Sequence, residues 1–264
     1  MGILNMANKR RIAFFVALAV ALLLGVRVMI VKARKPDLPA LVVNARSEDP
    51  LDRVETCREL AALRSDAANA VPALIELLDD NRVAKTLPER LWDSISLGGS
   101  GIAVNSAASK ALVEIGDSSV DPLIGAMADV RPRVRSYAAI TLGALADRGI
   151  IAARAVPALI HGLQDSDPEV RIWSARALGS LGEKAATDAL IACLSDPDPQ
   201  LRGYAASSLA KINDPKAIQP LIEMLRRAEA NSLLAEDALR QMTGLNLGPD
   251  AEKWQQWWNT RGGQ

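Results

Sequence analysis

Two columns of leucines that recur about every 31 residues constrain this chain more than any other feature of its sequence. Leu159, Leu190 and Leu221 are spaced by 31 residues each, and a second column keeps nearly the same period. Two independent columns with one period indicate stacked copies of one small unit rather than a single irregular core. The second column contains Leu60, Leu112, Leu142, Leu178, Leu209 and Leu239.

Residues 165–194 are the clearest copy of the unit, and they read as helix, tight turn and helix. Asp167 and Pro168 predict a helix start, because Asp caps helices well and Pro suits the first turn. Gly182 predicts the end of this helix, and a second helix is expected over about 185–194. Such a pair cannot bury its apolar face alone, so it needs stacked neighbours.

Three segments carry a resemblance to a known family. DVRPRVRSYAAITLGAL, SDPEVRIWSARALGSLG and DPDPQLRGYAASSLAKI resemble HEAT repeats, particularly the short HEAT-like repeats of the phycobilisome-lyase type. The resemblance covers residues 48–242 and implies an all-α fold. The implied architecture is a right-handed α-solenoid of about five helical pairs whose second helices line a concave face. It says little about function, since many unrelated activities use this scaffold.

The N-terminus has a different composition from the repeats. After a short tail (1–11), residues 12–31 are apolar except for Arg27, and this length can span a bilayer as a single-pass anchor. A cleaved signal peptide is the alternative, although no clear small-x-small cleavage site follows. Lys and Arg flank both ends, so the side of the membrane stays open. Residues 32–47 are expected to be a linker.

Charge argues against nucleic acid as a partner. The first 35 residues contain seven Lys or Arg and no acidic residue, which leaves 24 basic and 31 acidic residues in 36–264. A body with a net charge of −7 does not suit a phosphate backbone.

Two further segments depart from the repeat period. Residues 81–100 form an insertion in which Leu87, Leu91, Trp92 and Ile95 could make an amphipathic helix. This insertion is either a tolerated loop or part of a binding face. Residues 243–264 contain three tryptophans at helical spacing, which favour a cap on the last repeat over a ligand cage or partner epitope.

An arginine recurs at one position of the motif. A row of arginines would suit an anion, but each follows an acidic turn, and the family resemblance implies an Asp–Arg ladder between repeats. We therefore interpret these residues as structural. They are Arg53, Arg135, Arg171 and Arg202, with Asn105 in the second unit.

Aromatic residues form a column two positions after this arginine, at Tyr137, Trp173 and Tyr204. Helical phase predicts that the column faces a groove, and aromatic and Arg side chains are typical of protein-binding hot spots. The alternative is that the rings fill gaps between repeats. Residues expected on the same binding surface are Arg133, Ile140, Ile172 and Arg176, with Trp92 from the insertion.

No catalytic motif accompanies these features. His161 is the sole histidine, Cys57 and Cys193 sit among apolar residues, and no phosphate loop or metal-ligand spacing is present. The sequence therefore predicts a membrane-tethered, non-catalytic scaffold without cofactor or metal that binds a protein or peptide. A bilin lyase-like protein and a self-associating envelope protein are the alternatives.

Overall fold

The computed structural model describes residues 37–84, 102–150, 153–227 and 232–261. Within these ranges the chain forms thirteen α-helices, several short 3₁₀ turns and one two-stranded ribbon. The helices are α1 (Leu38–Asn44), α2 (Pro50–Leu63), α3 (Val71–Glu76), α4 (Val104–Ile115), α5 (Val120–Ala126), α6 (Pro132–Asp147), α7 (Val156–Gly162), α8 (Pro168–Leu181), α9 (Thr187–Cys193), α10 (Pro199–Ile212), α11 (Ile218–Arg226), α12 (Ser232–Thr243) and α13 (Ala251–Thr260).

Long and short helices alternate and form two layers. The long helices α2, α4, α6, α8, α10 and α12 pack side by side in chain order, and short helices pack against the long helix that follows them. Every leucine of the two sequence columns, from Leu60 to Leu239 and from Leu74 to Leu221, is fully buried. The period in the sequence therefore reflects the stacking of the units around a common core. The prediction of an all-α fold is confirmed for the described residues, apart from the short ribbon.

A repeated aspartate sets the turn before three long helices, and a fourth copy, Asp80, sets the turn that leads into the ribbon before α4. The carboxylates of Asp80, Asp129, Asp165 and Asp196 each accept a hydrogen bond from the backbone N–H two residues later, at 2.8–3.0 Å. This local bond favours a turn over continuation of the preceding helix. Long helices then start at a proline in four units, where the missing N–H costs nothing.

Small residues allow neighbouring long helices to approach closely. A Cβ at Gly179 would lie 2.7 Å from Ser208 Cβ and 2.8 Å from Ser208 Cα. Ser208 Oγ donates to Ala175 O at 2.8 Å across the same contact. On the other side of α8, a Cβ at Gly143 would lie 3.2 Å from Cα of Ala177.

Two elements add to what the sequence predicts. The expected linker 32–47 contains helix α1, which packs against α2 and buries Leu41 and Ala45. Two-residue strands Val83–Ala84 and Ile102–Ala103 pair in an antiparallel ribbon at the base of the insertion, whereas only helices were expected. Trp92 and the helix expected around it lie outside the described residues.

None of the described helices is both long and apolar enough to cross a membrane. The anchor predicted over 12–31 lies outside the described residues, so it stays a prediction.

The C-terminal helix α13 packs against α11 at the end of the short-helix layer. Trp254 is fully buried and its Nε1 donates to Gly248 O at 2.8 Å, while Trp258 is also buried. The side-chain amides of Gln219 and Gln255 bond each other reciprocally at 3.0 Å. The tail thus contributes its own apolar residues to the core of the last units.

Candidate protein-binding surface

The motif arginines are occupied by the turns of the solenoid. Arg135 binds the Asp165 carboxylate of the next unit through Nε and Nη2, both at 2.7 Å, and donates to Asp129 O of its own turn at 2.9 Å. Burial raises the pKa of the Asp165 carboxyl, but hydrogen bonds from Arg135 and from the Asp167 backbone outweigh it and leave that pKa lowered. The pair is therefore charged and directional at neutral pH.

The other three motif arginines make the same closure of their own turns with different outer contacts. Arg53 bonds Ser47 O and pairs with Asp80 of the next unit. Arg171 donates to Asp165 O at 3.0 Å, and Arg202 donates to Asp196 O at 2.9 Å. Arg53 and Arg135 thus bridge neighbouring units through a carboxylate, and all four arginines close the turn that precedes their helix.

In the second unit the backbone takes over this task. The N–H of Asn105 donates to Asp80 O at 2.9 Å, so no arginine is needed to close that turn. The motif arginines are therefore engaged in contacts within the solenoid. A binding surface is expected instead on the solvent-facing side of the long helices.

That surface is defined by one solvent-facing stripe on each long helix. In α8 the stripe consists of Glu169, Trp173, Arg176 and Ser180, spaced by four, three and four residues. We call the equivalent positions of α2, α4, α6, α8, α10 and α12 the long-helix face.

Trp173 is held in a fixed orientation on this face. Its Nε1 donates to Glu169 Oε2 at 2.8 Å, one turn earlier, and the Arg176 guanidinium lies 5.2 Å from the ring centroid, one turn later. Tyr137 on α6 is half-buried, and Tyr204 on α10 is 37% exposed. The three rings follow one another on consecutive long helices.

A shallow depression of about 160 Å³ lies between α6 and α8 beside Trp173. Ile140, Trp173 and Arg176 line it together with Gly143 and Ala177, which bring the two helices close. Two predicted contact residues, Ile140 and Arg176, are therefore brought together with the central ring of the column.

The structure places the remaining predicted residues as follows. Arg133 is exposed at the start of α6. Ile172 is a correction, because it is only 5% exposed and belongs to the core. The same position is buried at Ser136 and Gly203 but 66% exposed at Leu233 of α12. No described long helix follows α12, and we ascribe the burial of Ile172 to its neighbour α10.

One member of the column was missed by the sequence analysis. Leu234 stands five residues before Leu239, as Tyr204 does before Leu209, and it is 43% exposed. The leucine column contains the signal that locates it, but a search restricted to aromatic residues passes over it. The apolar column therefore continues onto the last long helix.

The described residues contain neither a candidate metal-binding cluster nor an exposed cysteine. No group of three or more His, Cys, Asp or Glu side chains there is arranged to hold a metal ion. Burial raises the pKa of Cys57 to about 12 and that of Cys193 to about 11, so both thiols stay protonated at neutral pH. His161 is exposed on α7.

Two family models match the chain. Residues 156–240 match the model of HEAT repeats, and residues 134–165 match that of the PBS lyase HEAT-like repeat. Together they run from α6 to α12, and the repeats predicted from the sequence are confirmed over this part. No curated protein matches the sequence.

Solved structures give the architecture. The fold of importin beta in an ammonium sulfate condition is similar with a TM-score of 0.54 and 16% identity, over 85% of this chain and 33% of importin beta. The chain has the fold of an α-solenoid. At this identity the similarity shows the fold alone.

Two further structures are similar at lower scores. The complex of CpcE and CpcF of phycocyanin lyase from Nostoc sp. PCC7120 is 24% identical with a TM-score of 0.49, over 66% of this chain and 99% of that one. A designed armadillo repeat protein in complex with the peptide (KR)4 is 19% identical with a TM-score of 0.46, over 79% of this chain and 100% of the designed protein.

Proposed function

We propose that this protein is a non-catalytic scaffold that binds a protein or peptide partner on its long-helix face. The observation that carries the proposal is the row of Tyr137, Trp173 and Tyr204 on three consecutive helices, with the depression beside Trp173. Aromatic and Arg side chains dominate binding energy at protein interfaces. In the proposal this face is the concave side of a right-handed superhelix.

The fixed orientation of Trp173 favours binding. Ordering a side chain costs about 0.5–1.5 kcal/mol on association, and the bonds to Glu169 and Arg176 order this ring beforehand. A partner would therefore lose less free energy when it packs against Trp173 than against an untethered ring.

Membrane tethering through residues 12–31 is part of the proposal and rests on the sequence. Fifteen apolar residues run without interruption from Ile12 to Val26, and an anchor would hold the long-helix face near a bilayer surface. The orientation of the chain in the membrane is left open.

Handling of a bilin is the enzyme-class alternative, suggested by the PBS lyase HEAT-like repeat match over 134–165. Small-molecule sites usually enclose about 300–1,000 Å³. The depression of about 160 Å³ beside Trp173 is small for a tetrapyrrole, so we favour a partner that lies along the face.

Site-specific photo-cross-linking in native cells tests the proposal with the full chain. A photoreactive residue is placed at Ser207, which is exposed on α10 in the long-helix face, and at Ala192, which is exposed on α9 in the short-helix layer. We expect a cross-linked product of discrete mass from position 207 only.

A second variant makes the test specific. Trp173→Ala combined with Tyr204→Ala should strongly reduce the product at position 207 while the circular dichroism spectrum is unchanged. Equal products from both positions, or a product that the double variant leaves intact, would refute binding through this face. A product of twice the chain mass would instead support the self-associating envelope protein.

A further inference from the structure

The long-helix face has five cationic side chains that lack a carboxylate partner within the described residues. All five are exposed, and they lie on α2, α4, α6, α8 and α10, one on each helix. Only Arg176 has a contact of another kind, with the Trp173 ring. The five are Arg58, Lys110, Arg133, Arg176 and Lys211.

Away from this face most described arginines are paired with acids. In these ion pairs the nitrogen and oxygen atoms are 2.6–3.3 Å apart, and several of the pairs join neighbouring units. Examples are Arg131–Asp129, Arg135–Asp165, Arg154–Asp121 and Arg226–Glu252. On the long-helix face, by contrast, each of five consecutive long helices has one cation without a carboxylate partner among the described residues, beside the aromatic column.

Acidic residues of the same face are mostly engaged by neighbours. Glu114 pairs with Arg148 at 2.6 Å, Glu169 accepts the Trp173 indole N–H, and Asp237 pairs with Arg240. Among the described residues, Glu55 on α2 and Asp147 at the end of α6 are not paired in this way. Glu169 keeps its charge, because the indole N–H is neutral. Five cations therefore stand against three acids that no Arg or Lys neutralises (Glu55, Asp147 and Glu169), which leaves a small excess of positive charge on a body whose net charge is −7.

From this pattern we infer that the partner segment is an acidic, extended peptide with apolar residues between its acids. The inference rests on the proposed function and names the chemistry of the same site. Carboxylates of the peptide would pair with the five cations, and its apolar side chains would pack on Tyr137, Trp173, Tyr204 and Leu234.

The repeat spacing gives the length of this peptide and the average interval between its acidic residues. Neighbouring helices pack about 8–10 Å apart, and an extended chain advances about 3.3 Å per residue. One unit of the solenoid therefore matches about three peptide residues. The four spacings from α2 to α10 match about twelve, with one acidic residue at every third position.

The test measures binding of the full-length chain, in non-ionic detergent micelles, to fluorescein-labelled (Glu-Ser-Leu)₄ by fluorescence anisotropy. The comparison probes are (Gln-Ser-Leu)₄, (Lys-Ser-Leu)₄ and a twelve-nucleotide single-stranded oligothymidine. An exposed ion pair contributes a factor of about two to five in affinity. We expect (Glu-Ser-Leu)₄ to bind at least tenfold tighter than each other probe at low salt, and less tightly as salt is raised.

Charge-reversal variants locate the binding. The triple variant Lys110→Glu, Arg133→Glu and Lys211→Glu leaves Trp173 and its two contacts untouched and should weaken binding at least tenfold. A matched control, Arg46→Glu with Lys184→Glu and Lys216→Glu, changes the net charge equally at exposed positions outside the face. This control should stay within about twofold of the unaltered chain.

Several outcomes would overturn the inference. They are equal or tighter binding of the Gln or Lys peptide, no binding of the Glu peptide, or an equal loss in the control variant. Tighter binding of the oligothymidine would replace the peptide with nucleic acid. If such a result accompanies an intact cross-link at Ser207, the peptide chemistry is wrong while the proposed function stands.

Discussion

Substitution of Gly179 by Ala should destabilise the solenoid, although Ala is the better helix former. In an exposed helix interior the exchange gains about 1 kcal/mol. At Gly179 the new Cβ would lie 2.7 Å from Ser208 Cβ and 2.8 Å from Ser208 Cα. Since one of these atoms is backbone, α8 and α10 must move apart, and overpacking of this kind costs about 1–3 kcal/mol.

The opposing effects predict a net loss of about 0–2 kcal/mol in the free energy of unfolding. Separation of the helices would also stretch the bond from Ser208 Oγ to Ala175 O, which moves the result toward the upper value. Urea denaturation followed by circular dichroism measures the change as a lower midpoint.

Gly125→Ala is the matched control. Gly125 lies in helix α5 and is exposed, and apart from its chain neighbours and the backbone of its own helix no atom lies within 4 Å of the position that a new Cβ would take there. This variant should be neutral or more stable by up to about 1 kcal/mol. If Gly179→Ala and Gly125→Ala have the same midpoint, close helix approach does not limit the residue at 179 and the reasoning is wrong.

Three further substitutions test other parts of the core. Arg135→Ala should lower the free energy of unfolding by about 2 kcal/mol at pH 7. Because the pKa of Asp165 is lowered in the folded chain, its carboxylate stabilises the fold above about pH 4, and this stabilisation is lost as the pH falls further. The variant should therefore lose less stability than the unaltered chain between pH 7 and pH 3, which denaturation at both pH values measures. Ser174→Ala should be neutral or stabilising by up to about 1 kcal/mol in thermal unfolding, because its buried Oγ lacks a hydrogen-bond partner within the described residues. Trp254→Ala should cost about 3–5 kcal/mol, and tryptophan fluorescence during denaturation should show a marked loss of stability.

Period and polarity were enough to predict the stacked helices. Leu178 and its equivalents occur at the same position of each unit. Stacking of the units therefore places all of them in one continuous core. The start of α8 at Pro168 and the left-handed Gly182 after it (φ 70°) were likewise local signals and are confirmed.

Other features depend on which helix lies on which side. Ile172 is one residue from Trp173, and helical phase alone placed both near the groove. Its burial follows from packing between units, which a single unit does not specify. Helix α1 has only seven residues and the ribbon strands two each, too short for a periodic pattern to stand out.

The candidate surface was predictable as a column but not as a charge pattern. Position relative to the leucines identified Tyr137, Trp173 and Tyr204. Whether a given Arg or Lys is paired depends in part on residues more than 25 positions away, as the Arg53–Asp80 and Arg135–Asp165 pairs show. Candidate cations on the face could therefore be named from the sequence, and the folded chain separated the paired from the unpaired.

The close contact at Gly179 has no counterpart at the same position of α12. The residue after the column leucine is Val113 in α4, Gly143 in α6, Gly179 in α8 and Ala210 in α10, all of them buried, but in α12 it is the exposed Arg240, paired with Asp237. A further helix could approach α12 at this position as closely as α10 approaches α8 only if the long Arg240 side chain moved aside.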